Sequence, residues 1–498
     1  MNIVFQDKLP ATVKFNKLIL HDHLPLLHAL KKSAQKPHAA FYAPGHKQGK
    51  GCDRNIINLI GKDVFNADLP ELPELDNLFA PEGVIKKAQE LAAKTFGADK
   101  TWFLVNGSTC GIMAAILATC GDGDKIILPR NIHQSAIAGL VLSGAIPIFV
   151  RPEYDRDAGL AYNVTPEAVR QALTEHPDTK AVMMLHPTYQ GICSDLQAIA
   201  DLTHQHNIPL LVDEAHGAHF AFHDNLPPSA MSVGADLTVQ STHKTLSAMT
   251  QASMLHIQGT RVCGQRITKA LQLVESTSPS YLLLASLDAA RYQMATLGLE
   301  LMNKTIALAT EAKNRLATIP YLSVLQPHTK AGCHHFDSTR LTIDVSKLGI
   351  TGFEADEILH EQLNVTCELP LLQHLTFIIS LGNTSKDIEQ LINACQNLPN
   401  SSTPHLPNSP TPHLPISPSP QISPRQAYFA PTETISITKA DDRLGGELIC
   451  PYPPGIPLLM PGEVITIEAI EYLQQVLAAG GTITGCNDPT LQTIQVLK

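Results

Sequence analysis

The feature that most constrains the fold is a regular alternation of short apolar strands and helical patterns in the middle of the chain. Seven stretches have the length and apolar content of buried strands, at residues 101–105, 125–128, 146–150, 181–185, 209–212, 237–240 and 253–257. Helical patterns lie between several of them, at residues 111–119, 135–142, 166–174 and 195–206. Such alternation predicts parallel strands joined by crossover helices, with helices on both faces of one sheet. Ligands bind such sheets at the carboxyl ends of the strands, so polar residues after these strands are the candidates for a functional site.

Composition predicts further units on either side of this region. The expected boundaries are an N-terminal arm and connector at 1–84, a large domain at 85–330, a small α+β domain at 331–397, a linker at 398–424 and a C-terminal domain at 425–498. Three helices are predicted after the last strand, at 261–275, 281–303 and 306–317. The linker is rich in Pro and Ser and contains Thr-Pro-His-Leu-Pro twice. Repeated prolines remove backbone donors and disfavour helices, so we expect a solvated spacer.

Charge and cysteine usage exclude several classes of protein. The 498-residue chain carries a net charge of -10 and no basic block, which argues against nucleic acid or an anionic membrane as a partner. No stretch approaches the roughly 18 to 20 apolar residues of a membrane-spanning helix, and the first residues lack a signal-peptide pattern. We therefore expect a cytoplasmic protein without a membrane partner. The 10 cysteines form no CxxC pair, which argues against a disulfide framework and a zinc module.

A lysine lies in the polar cluster that follows the sixth predicted strand. Lys244 closes the sequence Ser241-Thr-His-Lys244, directly after the strand at 237–240. An amine near a strand end can be partly desolvated, which lowers its pKa and makes it a nucleophile toward a carbonyl. A solvated surface lysine is the ordinary alternative. Schiff-base chemistry at Lys244 is the first hypothesis.

Two hydroxyl side chains lie between the first predicted strand and its helix. Ser108 and Thr109 belong to the stretch Val105-Asn-Gly-Ser-Thr-Cys-Gly111. Backbone amides at a helix N-terminus together with two hydroxyls make an anion site. Helix capping would need only one of those hydroxyls. The stretch is not G-x-G-x-x-G and lacks the lysine of a P-loop, so it favours a monophosphate over a dinucleotide or triphosphate.

An acid followed by small residues and histidines ends the fifth predicted strand, in Leu211-Val-Asp-Glu-Ala-His-Gly-Ala-His219. Its spacing matches no standard set of metal ligands, so no metal is expected. Asp213 could instead face a pyridine nitrogen, keep it protonated and make the ring an electron sink. His133 also follows a strand, where its ring could stack on a planar cofactor; a lone histidine is otherwise more often a loop or core residue.

Together these motifs resemble the pyridoxal-phosphate (PLP) enzymes of the aspartate-aminotransferase fold, and specifically the short bacterial ornithine/lysine/arginine decarboxylase family. The motifs run through nearly the whole chain: Ala43-Pro-Gly-His-Lys47, Leu72-Pro-Glu-Leu-Asp76, Asn106-Gly-Ser-Thr109, Asp213-Glu-Ala-His-Gly217, Ser241-Thr-His-Lys244, Pro451-Tyr-Pro-Pro-Gly455 and Thr484-Gly-Cys-Asn-Asp-Pro489. Any one could occur by chance, but their joint order is specific. The Pro/Ser-rich linker and a somewhat extended N-terminus depart from the family pattern without touching the motifs.

The resemblance implies an α/β fold and a set of residue roles. The expected fold is that of a PLP-dependent transferase of fold type I, with a mostly parallel seven-stranded sheet in a PLP-binding large domain and a smaller α+β C-terminal domain. Lys244 would hold the cofactor as a Schiff base and Asp213 would pair with its ring nitrogen. The other implied cofactor contacts are His133 on the ring, Ser108, Thr109, Ser241 and His243 at the phosphate, and His216 and Thr188 in the pocket wall. Either Lys244 or His243 would return a proton to the α-carbon.

The implied activity is PLP-dependent decarboxylation of a basic L-amino acid, feeding polyamine synthesis. Arginine is favoured slightly over lysine and ornithine. A side-chain cation needs an acid at the far end of the pocket, and the candidates are Glu447, Glu463 and Asp488. A homodimer or higher homo-oligomer with shared active sites is expected. The alternatives are another PLP-dependent reaction, by an aminotransferase or lyase, and a catalytically silent regulatory relative.

Overall fold

The computed structural model describes residues 24–156, 158–326, 330–398, 420–452 and 455–498. The predicted arm up to residue 22 lies outside the described residues. So do most of the Pro/Ser-rich linker, with both of its repeats, and the two prolines at 453 and 454.

A seven-stranded sheet forms the centre of the molecule, in the order β1-β10-β9-β8-β6-β2-β3. Its strands are β1 Lys100–Leu104, β2 Lys125–Pro129, β3 Ile146–Val150, β6 Ala181–Leu185, β8 Leu210–Asp213, β9 Leu237–Gln240 and β10 Ser253–Ile257. The pairs β3–β2–β6–β8–β9 are parallel, whereas β10 is antiparallel to both of its neighbours. The seven predicted strands are thus confirmed within one residue, because a strand buried on both faces reads as an uninterrupted apolar run.

Helices cover both faces of this sheet and continue into the rest of the chain. They are α1 Pro25–Ala34, α2 Arg54–Ile60, α3 Lys62–Ala67, α4 Val84–Phe96, α5 Gly107–Thr119, α6 Gln134–Ser143, α7 Pro166–Glu175, α8 Leu196–Gln205, α9 Thr242–Thr245, α10 Gly264–Val274, α11 Tyr281–Leu316, α12 Gly352–Glu361, α13 Ser385–Gln396, α14 Pro424–Phe429 and α15 Ile467–Ala478. Three 3₁₀ turns lie at Phe220–Phe222, Ser346–Leu348 and Ile437–Lys439. One apolar cluster joins the sheet to α5, α6 and α10, and another joins its opposite face to α7 and α8.

The long helix α11 corrects a prediction. The two helices expected at 281–303 and 306–317 are one continuous helix of 36 residues. Thr305, near the expected break, donates from its hydroxyl to the carbonyl of Leu301 at 2.9 Å. Its side chain therefore bonds back onto the preceding turn and does not compete with the backbone for a new turn.

Smaller antiparallel sheets follow the central one. A four-stranded sheet has the order β11-β13-β15-β14 and packs with α12 and α13 around its own apolar cluster. The remaining strands are β4 Tyr154–Asp155, β5 Leu160–Ala161, β7 Ile192–Cys193, β11 Ser323–Val324, β12 His335–Phe336, β13 Arg340–Asp344, β14 Leu369–Pro370, β15 His374–Ile378, β16 Thr432–Ser436, β17 Cys450–Tyr452, β18 Thr482–Thr484 and β19 Thr493–Leu497. The sequence also predicts two strands in this region, at 340–345 and 375–380, and they are confirmed as β13 and β15.

Among the described residues, five helices have no counterpart among the predictions: α2, α3, α9, α13 and α14. The first two are only 7 and 6 residues long, too short for helical periodicity to show. The connector before α4 is fixed more firmly than expected, since the carboxylate of Asp76 accepts from the backbone N–H groups of Gly83 and Ile85. These bonds satisfy otherwise unpaired donors at the helix N-terminus.

The described part of the chain contains no helix long and apolar enough to cross a membrane. Within the same residues, no group of three or more His, Cys, Asp or Glu side chains is arranged to hold a metal ion.

Candidate active site

A pocket of about 430 Å³ opens at the carboxyl edge of the central sheet, where β6, β8 and β9 end and α5 begins. The predicted site residues that line it are Ser108, Thr109, His133, Asp213, His216, Ser241, His243 and Lys244. They come from four separate stretches of sequence. The parallel strands bring them together because each crossover connection returns to the same edge of the sheet.

Lys244 occupies the four-residue helix α9, directly beyond β9. Its Nζ lies 2.9 Å from Nε2 of His216 and 5.7 Å from the ring centre of Tyr189. Burial lowers the pKa of Lys244, and the negative charge of Asp213 opposes this shift. The lysine is therefore biased toward the neutral amine that a Schiff base requires.

Asp213 is the last residue of β8 and is only 3% exposed. Its Oδ1 accepts from the backbone N–H of Ala215 at 3.1 Å, and no other hydrogen bond to its carboxylate occurs among the described residues. Burial raises the pKa of Asp213, partly offset by this bond and by the charge of Lys244. A buried carboxylate with spare acceptor capacity favours a cationic partner, such as a protonated ring nitrogen.

Hydroxyl groups collect at the opposite end of the pocket. Ser108 and Thr109 occupy the first turn of α5, whose 13 residues direct their N-terminal amides toward the pocket. Ser241, in the turn after β9, donates to Oγ of Ser108 at 2.8 Å. Gly107 has φ of +76°, a left-handed conformation that glycine adopts without strain. The chain thereby turns sharply into the helix and presents both hydroxyls.

Two histidines in the pocket have tautomers set by the backbone. His133 caps α6, and its Nδ1 accepts from the backbone N–H of Ser135 at 3.2 Å. Burial, with the charge of Lys244, lowers the pKa of His133 to about 4, so its ring is neutral. His243 donates from Nδ1 to the carbonyl of Ala252 at 3.0 Å, which leaves its Nε2 as an acceptor.

Comparison with known proteins finds the same architecture in a group of decarboxylases. Residues 24–340 match the model of the Orn/Lys/Arg decarboxylase major domain, and residues 412–489 match the C-terminal domain of that family. An arginine decarboxylase from Bacillus subtilis (strain 168) is 41% identical over 480 residues, which cover 95% of this chain and 98% of that protein. The chain belongs to the Orn/Lys/Arg decarboxylase family.

More distant members of the Orn/Lys/Arg decarboxylase family share the fold. The crystal structure of a lysine decarboxylase from Francisella novicida superimposes with a TM-score of 0.84 at 23% identity, covering 98% of this chain and 83% of that one. A lysine decarboxylase from Pseudomonas aeruginosa is 24% identical over 93% of this chain and 77% of that protein. These likenesses confirm the expected α/β fold of PLP-dependent transferases of fold type I.

One predicted cofactor contact of this decarboxylase lies outside the pocket. Thr188 is buried, and its Oγ1 accepts from the backbone N–H of Ile192 at 3.2 Å. It lines a neighbouring apolar cavity of about 120 Å³. The adjacent Tyr189 borders both cavities. The hydroxyl of Thr188 therefore closes a turn beside the pocket, and its role as a cofactor contact stays a prediction.

The three acids expected to bind the substrate make bonds within the fold. None of the three lines the pocket that contains Lys244. Glu463 pairs with Arg130 at 2.9 Å, and both side chains are buried. Glu447 accepts from the backbone N–H groups of Asn487 and Gln495. Asp488 accepts from two threonine hydroxyls and their backbone N–H groups in the turn before β19. Within this chain the three acids make bonds inside the C-terminal region, and their role in binding the substrate stays a prediction.

Two residues near the site had no signal in the sequence. Arg340, the first residue of β13, is fully buried and donates to the carbonyl of His216 at 2.8 Å. Glu368 lies directly before β14, and its charge raises the pKa of Lys244 and of Tyr189. Both come from the small sheet, far along the chain from the motifs. The sequence alone does not show which residues of the small sheet lie beside the pocket of the central sheet.

Proposed function

We propose that the protein is a PLP-dependent decarboxylase that converts arginine to agmatine. The observation that carries the proposal is the pocket itself, which joins a buried lysine, a buried aspartate and a hydroxyl-lined helix N-terminus. The relatives of about 40% identity, named arginine decarboxylase, favour arginine over lysine and ornithine.

The residues present fit the cofactor at both ends. A phosphate would be held by Ser108, Thr109 and Ser241 with the first amides of α5, the donor set that phosphates prefer. At the other end, the carboxylate of Asp213 would pair with a protonated ring nitrogen, which would also compensate its burial. His133, neutral at physiological pH, would present a ring for stacking. When bound, PLP supplies an electron sink for the electrons left behind as carbon dioxide departs.

The chain's own residues would perform the remaining steps. Lys244 would hold the cofactor and be displaced by the amine of the substrate. Asp213 would keep the ring nitrogen protonated while charge develops. Lys244 and His243, which both line the pocket, are the two candidates for returning a proton to the α-carbon.

We propose Glu368 as the acid that binds the side-chain cation of the substrate. Glu368 is exposed and its carboxylate makes no hydrogen bond to any described residue, but it lines a neighbouring pocket and not the one that contains Lys244. Its charge acts on Lys244, Tyr189 and Arg340, which border or underlie the pocket. A guanidinium would give this carboxylate the bidentate partner that it lacks.

Neither alternative activity gains support from the described residues. An aminotransferase normally needs an arginine for the α-carboxylate, but Arg340, the buried arginine beside His216, does not line the pocket. A silent regulatory relative would have no need of both Lys244 and Asp213. The proposal therefore remains with decarboxylation.

The proposal also includes a homodimer or higher homo-oligomer with shared active sites, a cytoplasmic location and a role in polyamine synthesis. Oligomer formation is supported by the N-terminal region, where α2 buries none of its residues and Leu59 is 79% exposed. An apolar helix of this kind favours a partner surface. The exposed Phe41 lies near it in the sequence.

The deciding experiment supplies purified, PLP-loaded protein with arginine, lysine and ornithine in turn. We expect carbon dioxide and agmatine from arginine, with slower release from the other two. Borohydride reduction followed by peptide mass spectrometry should place the cofactor on Lys244, and the Lys244→Ala variant should lose both signals. Absence of carbon dioxide with all three amino acids would overturn the proposed reaction.

A further inference from the structure

A buried arginine from the small sheet touches the histidine that contacts Lys244. The guanidinium of Arg340 is 0% exposed. Its Nη2 donates to the carbonyl of His216 at 2.8 Å and lies 3.4 Å from Nδ1 of the same residue. A guanidinium carries only donors and stays protonated in proteins. It therefore presents N–H groups and positive charge to Nδ1 of His216.

This contact determines where the imidazole carries its proton. A proton on Nδ1 would face the donors of Arg340, so the neutral ring of His216 must carry its proton on Nε2. That atom lies 2.9 Å from Nζ of Lys244. An Nε2–H group can only donate, so the amine of Lys244 must accept. An ammonium has no lone pair with which to accept, and the bond therefore requires the neutral amine.

We propose that Arg340 is a positioning residue, which fixes the Nε2–H tautomer of His216 and through it holds Lys244 as the neutral amine. The arginine does not touch the reacting atoms and acts only through the histidine. This inference rests on the proposed role of Lys244 as the cofactor lysine, since only a neutral amine can attack a carbonyl.

The charges around the two side chains act in the same sense. Burial lowers the pKa of His216 well below its usual value, and the positive charge of Arg340 adds to this shift, as would that of Lys244 whenever it is protonated. The nearby His133 and His243 act in the same direction. The pKa of Lys244 is lowered by burial and by Arg340, against the opposing charges of Asp213 and Glu368. Tyr189 is a further titratable neighbour, whose ring lies 4.5 Å from that of His216 and whose pKa is raised by burial.

The guanidinium is held in place by its own surroundings. Asp337 places Oδ2 3.6 Å from Nε of Arg340 and 3.1 Å from Nε2 of His219. It also accepts from the hydroxyl of Thr339 at 2.7 Å. Opposite, Gly191 leaves room for the arginine stem, because a Cβ there would lie 2.8 Å from Cγ of Arg340. Arg340 is thus held between Asp337 on one side and Gly191 on the other.

The experiment measures the reactivity of Lys244 in the cofactor-free protein. Wild type, Arg340→Met and Arg340→Lys are methylated with formaldehyde and cyanoborohydride over a range of pH, and labelling of the Lys244 peptide is quantified by mass spectrometry. The midpoint in wild type should lie below that of exposed lysines. In Arg340→Met it should rise by about one pH unit, because Nδ1 is then free to take the proton. Arg340→Lys, which keeps a cation beside Nδ1, should restore most of the wild-type midpoint.

Arg291 provides a matched control. It is also fully buried and pairs with an aspartate three residues earlier, Asp288, but this pair binds the backbone of α1, away from the pocket. Arg291→Met should leave the midpoint of Lys244 unchanged. An unchanged midpoint in folded Arg340→Met, or an equal shift in both methionine variants, would overturn the proposal.

A second measurement needs no variant of Arg340. In the ¹⁵N spectrum of cofactor-free wild type, with the signals of His216 assigned by comparison with His216→Gln, we expect a neutral ring protonated at Nε2. A ring protonated at Nδ1, or at both nitrogens, contradicts the proposal. Both measurements use protein without cofactor or turnover, so failure of the decarboxylation assay leaves them interpretable, and an unshifted midpoint in an active decarboxylase rejects only the role of Arg340.

Discussion

Side chains in the pocket divide into two groups according to their electrostatic environment. Lys244, His133 and His216 are buried, and burial lowers the pKa of each of them, which favours their neutral forms. Asp213 is buried beside them, where the charge of Lys244 opposes its protonation. A pocket with neutral bases and one acid is suited to receive a cofactor that brings its own charges.

Among single side chains, we predict that Glu368 recognises the substrate. Glu368→Gln should raise KM for arginine about 10-fold to 100-fold, the range expected for loss of a charge-assisted hydrogen bond. The value of kcat and the absorbance of bound PLP should change little. Steady-state assays with arginine measure the first effect.

Asp488 offers the comparison, since its oxygens are bonded within the turn before β19. Asp488→Asn should leave KM for arginine near the wild-type value. A larger effect at Asp488 than at Glu368 would return the substrate role to the C-terminal acids.

Elements far apart in sequence are joined by buried polar contacts. Arg130 follows β2 and binds Glu463 in the C-terminal region, and it also donates to the carbonyls of Pro457 and Leu458. Glu214, after β8, accepts from Gln240 of β9, whose amide oxygen is bonded to His256 of β10. These contacts fix the positions of the strand ends that carry the site.

Removal of Glu463 from its ion pair with Arg130 should therefore lower the free energy of unfolding without changing KM for arginine. Glu463→Gln should cost about 3 kcal/mol in the free energy of unfolding, because it leaves the charge of Arg130 buried and uncompensated. Denaturant unfolding measures this, and KM for arginine serves as the second readout. Combining it with Arg130→Met should recover part of the loss. An altered KM at unchanged stability would favour a substrate role for Glu463.

The pH dependence of the free energy of unfolding should reveal the raised pKa of Glu214. Burial raises the pKa of this carboxyl to about 7, so between about pH 4.3 and pH 7 the folded state binds more protons than the unfolded state. Its contribution is complete below the unfolded pKa and is lost as pH rises through 7, an effect of about 4 kcal/mol at most. The stability difference between wild type and Glu214→Gln should therefore change with pH across this window.

An exposed carboxylate such as Glu300 provides the baseline for this measurement. The same measurement on Glu300→Gln gives the background effect of removing one surface carboxyl. If the stability difference for Glu214→Gln followed that for Glu300→Gln at every pH, the raised pKa of Glu214 would be contradicted.

At the scale of the whole molecule, the described chain leaves one apolar helix uncovered. In α2 no residue is buried, and Leu59 is 79% exposed. Since exposed apolar residues on one helix mark a contact surface, α2 is the predicted contact of the proposed homodimer.

Leu59→Glu should therefore shift the protein toward the monomer in sedimentation velocity, with a parallel loss of activity if the active sites are shared. Leu273 is also 79% exposed but lies on α10. Leu273→Glu should leave the assembly intact. Equal sedimentation of all three proteins would remove α2 from the proposed interface.

The sequence by itself determined the seven strands, the edge at which the site lies and the motif residues of the pocket. These features depend on local sequence. A buried strand is an apolar run, and the residues that follow parallel strands lie at the carboxyl edge of the sheet, independently of the other domains. Lys244, Asp213 and Ser108 could therefore be named before any coordinates.

Only the tertiary structure decided which contacts the remaining polar residues make. Glu463 pairs with a residue 333 positions away, and Arg340 reaches a histidine 124 positions away. Charge and residue type do not distinguish an acid that binds a ligand from one that satisfies a buried arginine or a turn. That distinction depends on which surfaces the domains bury against each other, and no local pattern in the sequence encodes it.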